Sequence, residues 1–262
     1  MTTSFEHLRY SVEDGIAEIR LDRPPLNLID LDLTHEYLAA LDRANSDQAA
    51  RVIVLSGEGK GLSAGVDIKV LRDYDSAQMR EFVELFYVEQ VRRVRGLSKP
   101  IMAAVQGFAR EGACTMAFSC DMVVAADDAT FGYPGVPNLA APPGMHVWHL
   151  QQLLGRMKAA WLILSGQPLS ADEADRHGMV TRVVPRDELM TTTRAMARTL
   201  AELSPRALRD TRNLMYQMES MDFSRVPEVA ADAISSAFDS ADSLEARQAF
   251  LEKRAPVWQP LD

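Results

Sequence analysis

The chain has 262 residues, 47% of them hydrophobic and 25% charged, with 14 Gly and 13 Pro, which excludes disordered and low-complexity classes and fits one large globular domain or a domain with an appendage. Its 28 Lys and Arg against 37 Asp and Glu leave a net charge of −9, so it lacks the basic footprint of a nucleic-acid binder. No apolar run approaches the roughly 18 residues of a membrane span, acidic Glu6 interrupts any signal-peptide core, and Cys114 and Cys120 fit neither a redox pair nor a zinc knuckle, so a cytoplasmic protein is expected.

Apolar residues alternate through Phe5, Leu8 and Tyr10 and again through Ile16, Ala17, Ile19 and Leu21, around Asp14-Gly15, which reads as an opening hairpin. After Pro24-Pro25, Leu31, Leu38 and Leu41 fall at helical spacing within 31–44, and the β-branched run at 51–55 is too short for a helix. The next cycle holds a Gly-rich loop at 56–65, a long helix at about 76–95 and an apolar strand at 101–105. A third holds a short helix at 113–119, a strand at 122–126 and Thr130-Phe131. Repeated strand-loop-helix cycles with apolar strands imply an α/β chain whose sheet is covered on both faces.

From Met145 onward the only strand expected is 179–184. The segments 187–203, 206–218 and 226–253 carry apolar residues at three-four spacing, with Ser204-Pro205 starting the middle helix. The expected division is a core over 1–200 and a helical carboxy-terminal region over 201–262. An amphipathic tail of that size must cover its own core or a neighbouring subunit.

Two small-residue loops follow apolar strands: GKGLSAGVDIK at 59–69 and VQGFAREGACTMAFSCD at 105–121. Small residues let the backbone approach a ligand, and a helix that starts there aims its free N–H groups outward. Two such turns converging would make a two-donor oxyanion site. Neither loop matches the dinucleotide pattern GxGxxG or the P-loop, and glycine-rich connections are common in any α/β protein.

SAGVDIK at 63–69, KPIMAAVQGFA at 99–109, CDMVVAADDATFGYP at 120–134 and LSGQPLSADEADRHGMVTRVV at 164–184, in this order, resemble the enoyl-CoA hydratase/isomerase family, also called the crotonase superfamily. The resemblance implies a crotonase-type spiral of ββα units with a helical carboxy-terminal trimerisation region, assembled as homotrimers or dimers of trimers. It implies an acyl-CoA substrate, no cofactor beyond its coenzyme A, and no membrane partner. The thioester oxygen would be held by the N–H groups matching Val66 and Gly112. Lys69 matches a position near the adenine and phosphate end of coenzyme A, or is a solvated lysine at a helix start. Leu26 and Ala64 are expected near the adenine. Asp67 is either a substrate contact or a carboxylate that caps the following turn.

The same resemblance exposes departures. Hydratases of the family carry two glutamates where this chain has Thr115 and, after FGYP, Gly135. A threonine hydroxyl is too weak an acid for proton exchange near neutrality, and glycine has nothing to exchange. Glu111 stands where the family usually has glycine, directly before the Gly112 donor, and is the replacement candidate; otherwise it is a rim carboxylate paired with Arg110 or a tail residue. Desolvation in an apolar acyl pocket would raise its pKa.

His146 and His149 lie three apart on an expected helix and could act as bases, or one packs beneath Trp148 while the other is hydrogen-bonded at the surface. No third ligand at suitable spacing is visible, so no metal is expected. Tyr133 and Thr115 could orient a water or substrate hydroxyl, and Cys114 reads as a small core residue. Pro142-Pro143 replace an aspartate used by some branches for isomerisation or dehalogenation. Three functions stay open: a hydratase-like lyase with a non-standard acid/base, a decarboxylase or carbon-carbon bond hydrolase, and a non-catalytic acyl-CoA binder.

Overall fold

Asp14-Gly15 reverses the chain so that β1 (Leu8–Glu13) pairs antiparallel with β2 (Ile16–Leu21), Glu13 facing Ile16. The computed structural model describes residues 4–142 and 144–261. Asp30 caps α1 (Leu31–Ser46) by accepting from the Leu33 N–H, and β3 (Val52–Gly57) then adds parallel to β2. After the one-turn α2 (Ile68–Leu71) comes α3 (Ser76–Val83), opened by a capping box between Asp75 and Gln78. The expected long helix at 76–95 is continuous but irregular: a π-helical stretch, Glu84–Glu89, separates α3 from α4 (Gln90–Arg95).

The spiral follows in β4 (Ile101–Val105), β5 (Phe108–Arg110), α5 (Gly112–Ser119), β6 (Met122–Ala126) and β7 (Thr130–Gly132). β4 and β6 extend the large sheet while β5 and β7 pair in a second, small one. These two turns of chain each contribute one strand to each sheet, the ββα repeat that the sequence resemblance implied. α6 (Gly135–Leu139) and α7 (His146–Ser165) precede β8 (Leu169–Ser170), α8 (Ala171–Arg176) and β9 (Arg182–Val184). The large sheet runs β1-β2-β3-β4-β6-β9 and the small one β5-β7-β8.

Alternation along the strands builds two cores. Ile53, Leu55, Ala103, Val105, Val123 and Ala125 face the main core with α1, α4 and α5, while Val52, Val54, Met102, Ala104, Val124 and Ala126 face α9 (Leu189–Ala201). α10 (Pro205–Met218), α11 (Val226–Phe238) and α12 (Ala241–Glu252) complete the described chain.

Three expectations need correction. The strand at 179–184 begins only at Arg182, because Met179 donates to the Ala174 carbonyl and finishes α8. The helix at 226–253 is two helices, since Ser240 accepts from the Ser243 N–H and starts α12. The strand at 179–184 is not the only one after Met145, since β8 forms at Leu169–Ser170; like the three-residue β5, it is too short to show a period. Of Pro142-Pro143, Pro143 lies outside the described residues.

Candidate active site

The two small-residue loops lie against each other. Leu62 N–H donates to the Phe108 carbonyl at 3.0 Å and Arg110 N–H to the Ser63 carbonyl at 3.1 Å. Gly65, at φ 96°, is required there: a Cβ would stand 2.9 Å from the Arg110 carbonyl oxygen and 3.4 Å from Glu111 Cβ. Ile29 braces the loop by donating to the Gly65 carbonyl (2.9 Å) and accepting from the Asp67 N–H (2.8 Å). That pattern skips the Val66 N–H, which has no hydrogen-bond partner among the described residues. Gly112 is the first residue of α5, so its N–H has no carbonyl one turn behind it in the helix. A side chain at Gly112 would collide with the Phe86 ring at 2.7 Å and Ile29 Cδ1 at 3.0 Å. Val66 and Gly112 thus bring two unengaged donors to the junction of the loops.

Glu111 joins them. Its N–H donates to the Gly132 carbonyl (2.9 Å) and its carbonyl accepts from Thr115 (3.1 Å), which holds the residue at φ 46°, ψ −110°. The side chain is 15% exposed and is not paired with Arg110, whose guanidinium instead bonds the Thr130 carbonyl and hydroxyl. Glu111 Oε1 is buried without a well-formed hydrogen bond. It fills the space in front of Gly135, where a Cβ would lie 3.0 Å from Oε1. Burial pushes the carboxyl pKa up to about 7, tempered by the nearby Gly135 amide.

His146 opens α7 and is 2% exposed, which corrects the expectation of a surface-bonded histidine. Thr115 Oγ1 lies 2.9 Å from its Nδ1 and 3.2 Å from its Nε2, and Nε2 stands 3.8 Å from Glu111 Oε2. Tyr133 and Tyr87 flank the ring at centroid distances of 4.4 and 5.2 Å. Burial, with a smaller contribution from His149, lowers the His146 pKa to about 3, so the imidazole is neutral across the working range. The histidine stacked with Trp148 is His149, at 6.1 Å. Cys114 is fully buried and its thiol donates to the Ala109 carbonyl.

The remaining sequence candidates sit on the outer side of the first loop. Ala64 N–H donates to the Leu26 carbonyl at 3.0 Å, and both residues are half-buried. Asp67 caps α2, Oδ1 accepting from the Lys69 N–H at 3.0 Å, and Lys69 itself is exposed. Sequence reasoning missed Phe86 and Tyr87, consecutive residues that the π-helical stretch turns toward Gly112 and His146. The signal was the unbroken apolar run Leu85-Phe86-Tyr87-Val88 in an otherwise amphipathic helix. Among the described residues no group of three His, Cys, Asp or Glu side chains is placed to hold a metal ion.

Two free backbone donors beside one carboxyl that titrates near neutrality can stabilise a developing oxyanion and move a proton next to it. Residues 11–260 match the family model described as enoyl-CoA hydratase/isomerase. Over 255 residues the chain is 33% identical to a probable enoyl-CoA hydratase of Mycobacterium bovis, covering 97% of this chain and 98% of that one. It is 32% identical to a crotonyl-CoA hydratase of Syntrophomonas wolfei, with 96% and 97% covered. The solved enoyl-CoA hydratase subunit I from Geobacillus kaustophilus superposes with a TM-score of 0.91 at 32% identity, over 98% of this chain and 99% of that one.

Proposed function

The chain belongs to the enoyl-CoA hydratase/isomerase family, and we propose that it acts on an acyl-CoA thioester through an enolate, with Glu111 as its only proton carrier. The observation that carries this reading is the Glu111 carboxyl lying in front of Gly135. By the sequence resemblance Gly135 matches one of the family's two acidic positions, and the space before it holds the Glu111 carboxyl.

The thioester carbonyl oxygen accepts from the Val66 and Gly112 N–H groups. Each such preorganised donor contributes on the order of 3 kcal/mol when negative charge develops on that oxygen. The positive end of α5 adds to the same field. Glu111, one residue from the Gly112 donor, takes a proton from the carbon beside the carbonyl, or returns one to it. A pKa of about 7 leaves both protonation states populated near neutrality, so one group serves in either direction. Thr115 and the neutral His146 supply hydrogen bonds and shape rather than protons. Leu26, Ala64 and Asp67 form the ledge for the nucleotide end of coenzyme A, with the exposed Lys69 ammonium available to its phosphates. The reaction needs no cofactor beyond the coenzyme A of the substrate.

The same geometry favours one further chemistry. Water addition by the family's usual route employs two carboxylates, whereas decarboxylation generates the enolate by releasing carbon dioxide and leaves one protonation to perform; hydrolytic carbon-carbon cleavage must in addition add water to the departing carbonyl. A panel of enoyl-, malonyl- and β-ketoacyl-CoA thioesters separates these. Turnover of a member of the panel, lost about 10²-fold or more in Glu111→Gln with binding retained, supports the reading. Thioester binding with no turnover on any of them would leave a non-catalytic acyl-CoA binder.

A further inference from the structure

Two buried side chains lie next to the Glu111 carboxyl. Thr115 and His146 are 3% and 2% exposed, hydrogen-bonded to each other at 2.9 Å, and His146 Nε2 faces Glu111 Oε2 at 3.8 Å. Tyr133 and Tyr87 pack on the His146 ring. The same two residues also line a cavity of about 560 Å³, partly open to solvent, between α4, α5, α7 and α10. Its walls include Val91, Phe118, Leu153, Leu208 and Met215, and Thr115 and His146 form part of its lining.

The charged groups around this cavity are already paired: Arg95 with Glu219 at 2.6 Å and Arg212 with Asp121 at 2.8 Å. The space therefore suits a neutral apolar chain and offers nothing to an ionic one. Arg212 on α10 also donates to the carbonyls of Val94, Arg95 and Leu97 and ties that wall of the cavity to α4.

We infer that the hydrogen-bonded Thr115–His146 pair is the end wall of the acyl pocket, limiting the substrate to a short acyl chain and sealing off a ready-made apolar cavity behind it. This rests on the reading that an acyl-CoA binds with its α-carbon at Glu111. A chain continuing past that carboxyl meets the imidazole within one or two methylenes, so added length finds no apolar surface to bury.

Binding of saturated butyryl- and dodecanoyl-CoA by calorimetry tests the wall without turnover. The full-length protein is expected to gain no affinity from the longer chain. His146→Ala, or Thr115→Ala should the first variant melt early, is expected to bind dodecanoyl-CoA at least about tenfold more tightly than butyryl-CoA, because the new methylenes enter the cavity. Adding Leu208→Trp, which fills the cavity from α10, abolishes that gain. Tighter binding of dodecanoyl-CoA by the unaltered protein, or a folded wall variant with no length preference, overturns the inference. Failure of either thioester to bind any of these proteins sinks the acyl-CoA reading itself, a distinct result.

Discussion

Glu111 combines three features that a purely structural residue would avoid: a buried carboxyl oxygen without a well-formed hydrogen bond, a positive φ, and a carboxyl that fills the space before Gly135, where a Cβ would stand 3.0 Å from Oε1. Local strain of this kind costs of order 1–3 kcal/mol and collects at functional sites. Its titration should therefore be visible in stability. The folded protein holds the Glu111 proton more tightly than the unfolded chain, with a pKa of about 7 against 4.5, so raising the pH through that window removes stability. Wild type should lose about 3 kcal/mol from this group between about pH 4 and about pH 8, with no further loss above. Glu111→Gln carries no charge, so its stability relative to wild type should rise by a similar amount across the window, measured by urea unfolding at pH 4 and pH 8. A difference that stays flat would show that the carboxyl titrates normally. The sequence singled out Glu111 because it precedes the Gly112 donor. Its meeting with Gly135 was not legible, since β7 and the Glu111–Gly132 hydrogen bond bring the two together only in three dimensions.

Helices and strands with a sustained apolar period were readable, and those set by tertiary contacts were not. β3, β4 and β6 stand where their apolar runs put them, whereas β5 exists because the small sheet exists. The π-helical stretch between α3 and α4 presents Phe86 and Tyr87 side by side, which a regular helix period cannot announce. α10 depends on a single buried cation. Arg212 is 5% exposed, pairs with Asp121 and donates to three backbone carbonyls at the end of α4 and beyond. Arg212→Met should cost about 3–5 kcal/mol, because Asp121 is left buried without its cation. Chemical denaturation checks this. A loss under 1 kcal/mol would mean that packing alone holds α10 in place.

For the whole molecule, the family and the two-sheet spiral follow from motifs in the first 184 residues, and no helix among the described residues is long and apolar enough to cross a membrane. The carboxy-terminal helices leave Phe223, Phe250 and Leu251 78%, 83% and 76% exposed, and α7 leaves Trp161 61% exposed. Apolar surface on that scale calls for a cover. We expect a homotrimer, or a dimer of trimers, seen by light scattering as three or six times the 29.1 kDa chain; a stable monomer at micromolar concentration would contradict this. The central claim is that Glu111 exchanges a proton with the carbon beside a thioester carbonyl held by Val66 and Gly112, whatever the final product. Deuterium incorporation into the α-position of bound butyryl-CoA in D₂O, followed by NMR, measures that step alone. The account predicts exchange that rises with pH through an inflection near 7 and falls about 10²-fold or more in Glu111→Gln with unchanged affinity. Equal exchange in the two proteins, or none in wild type at any pH, would contradict it.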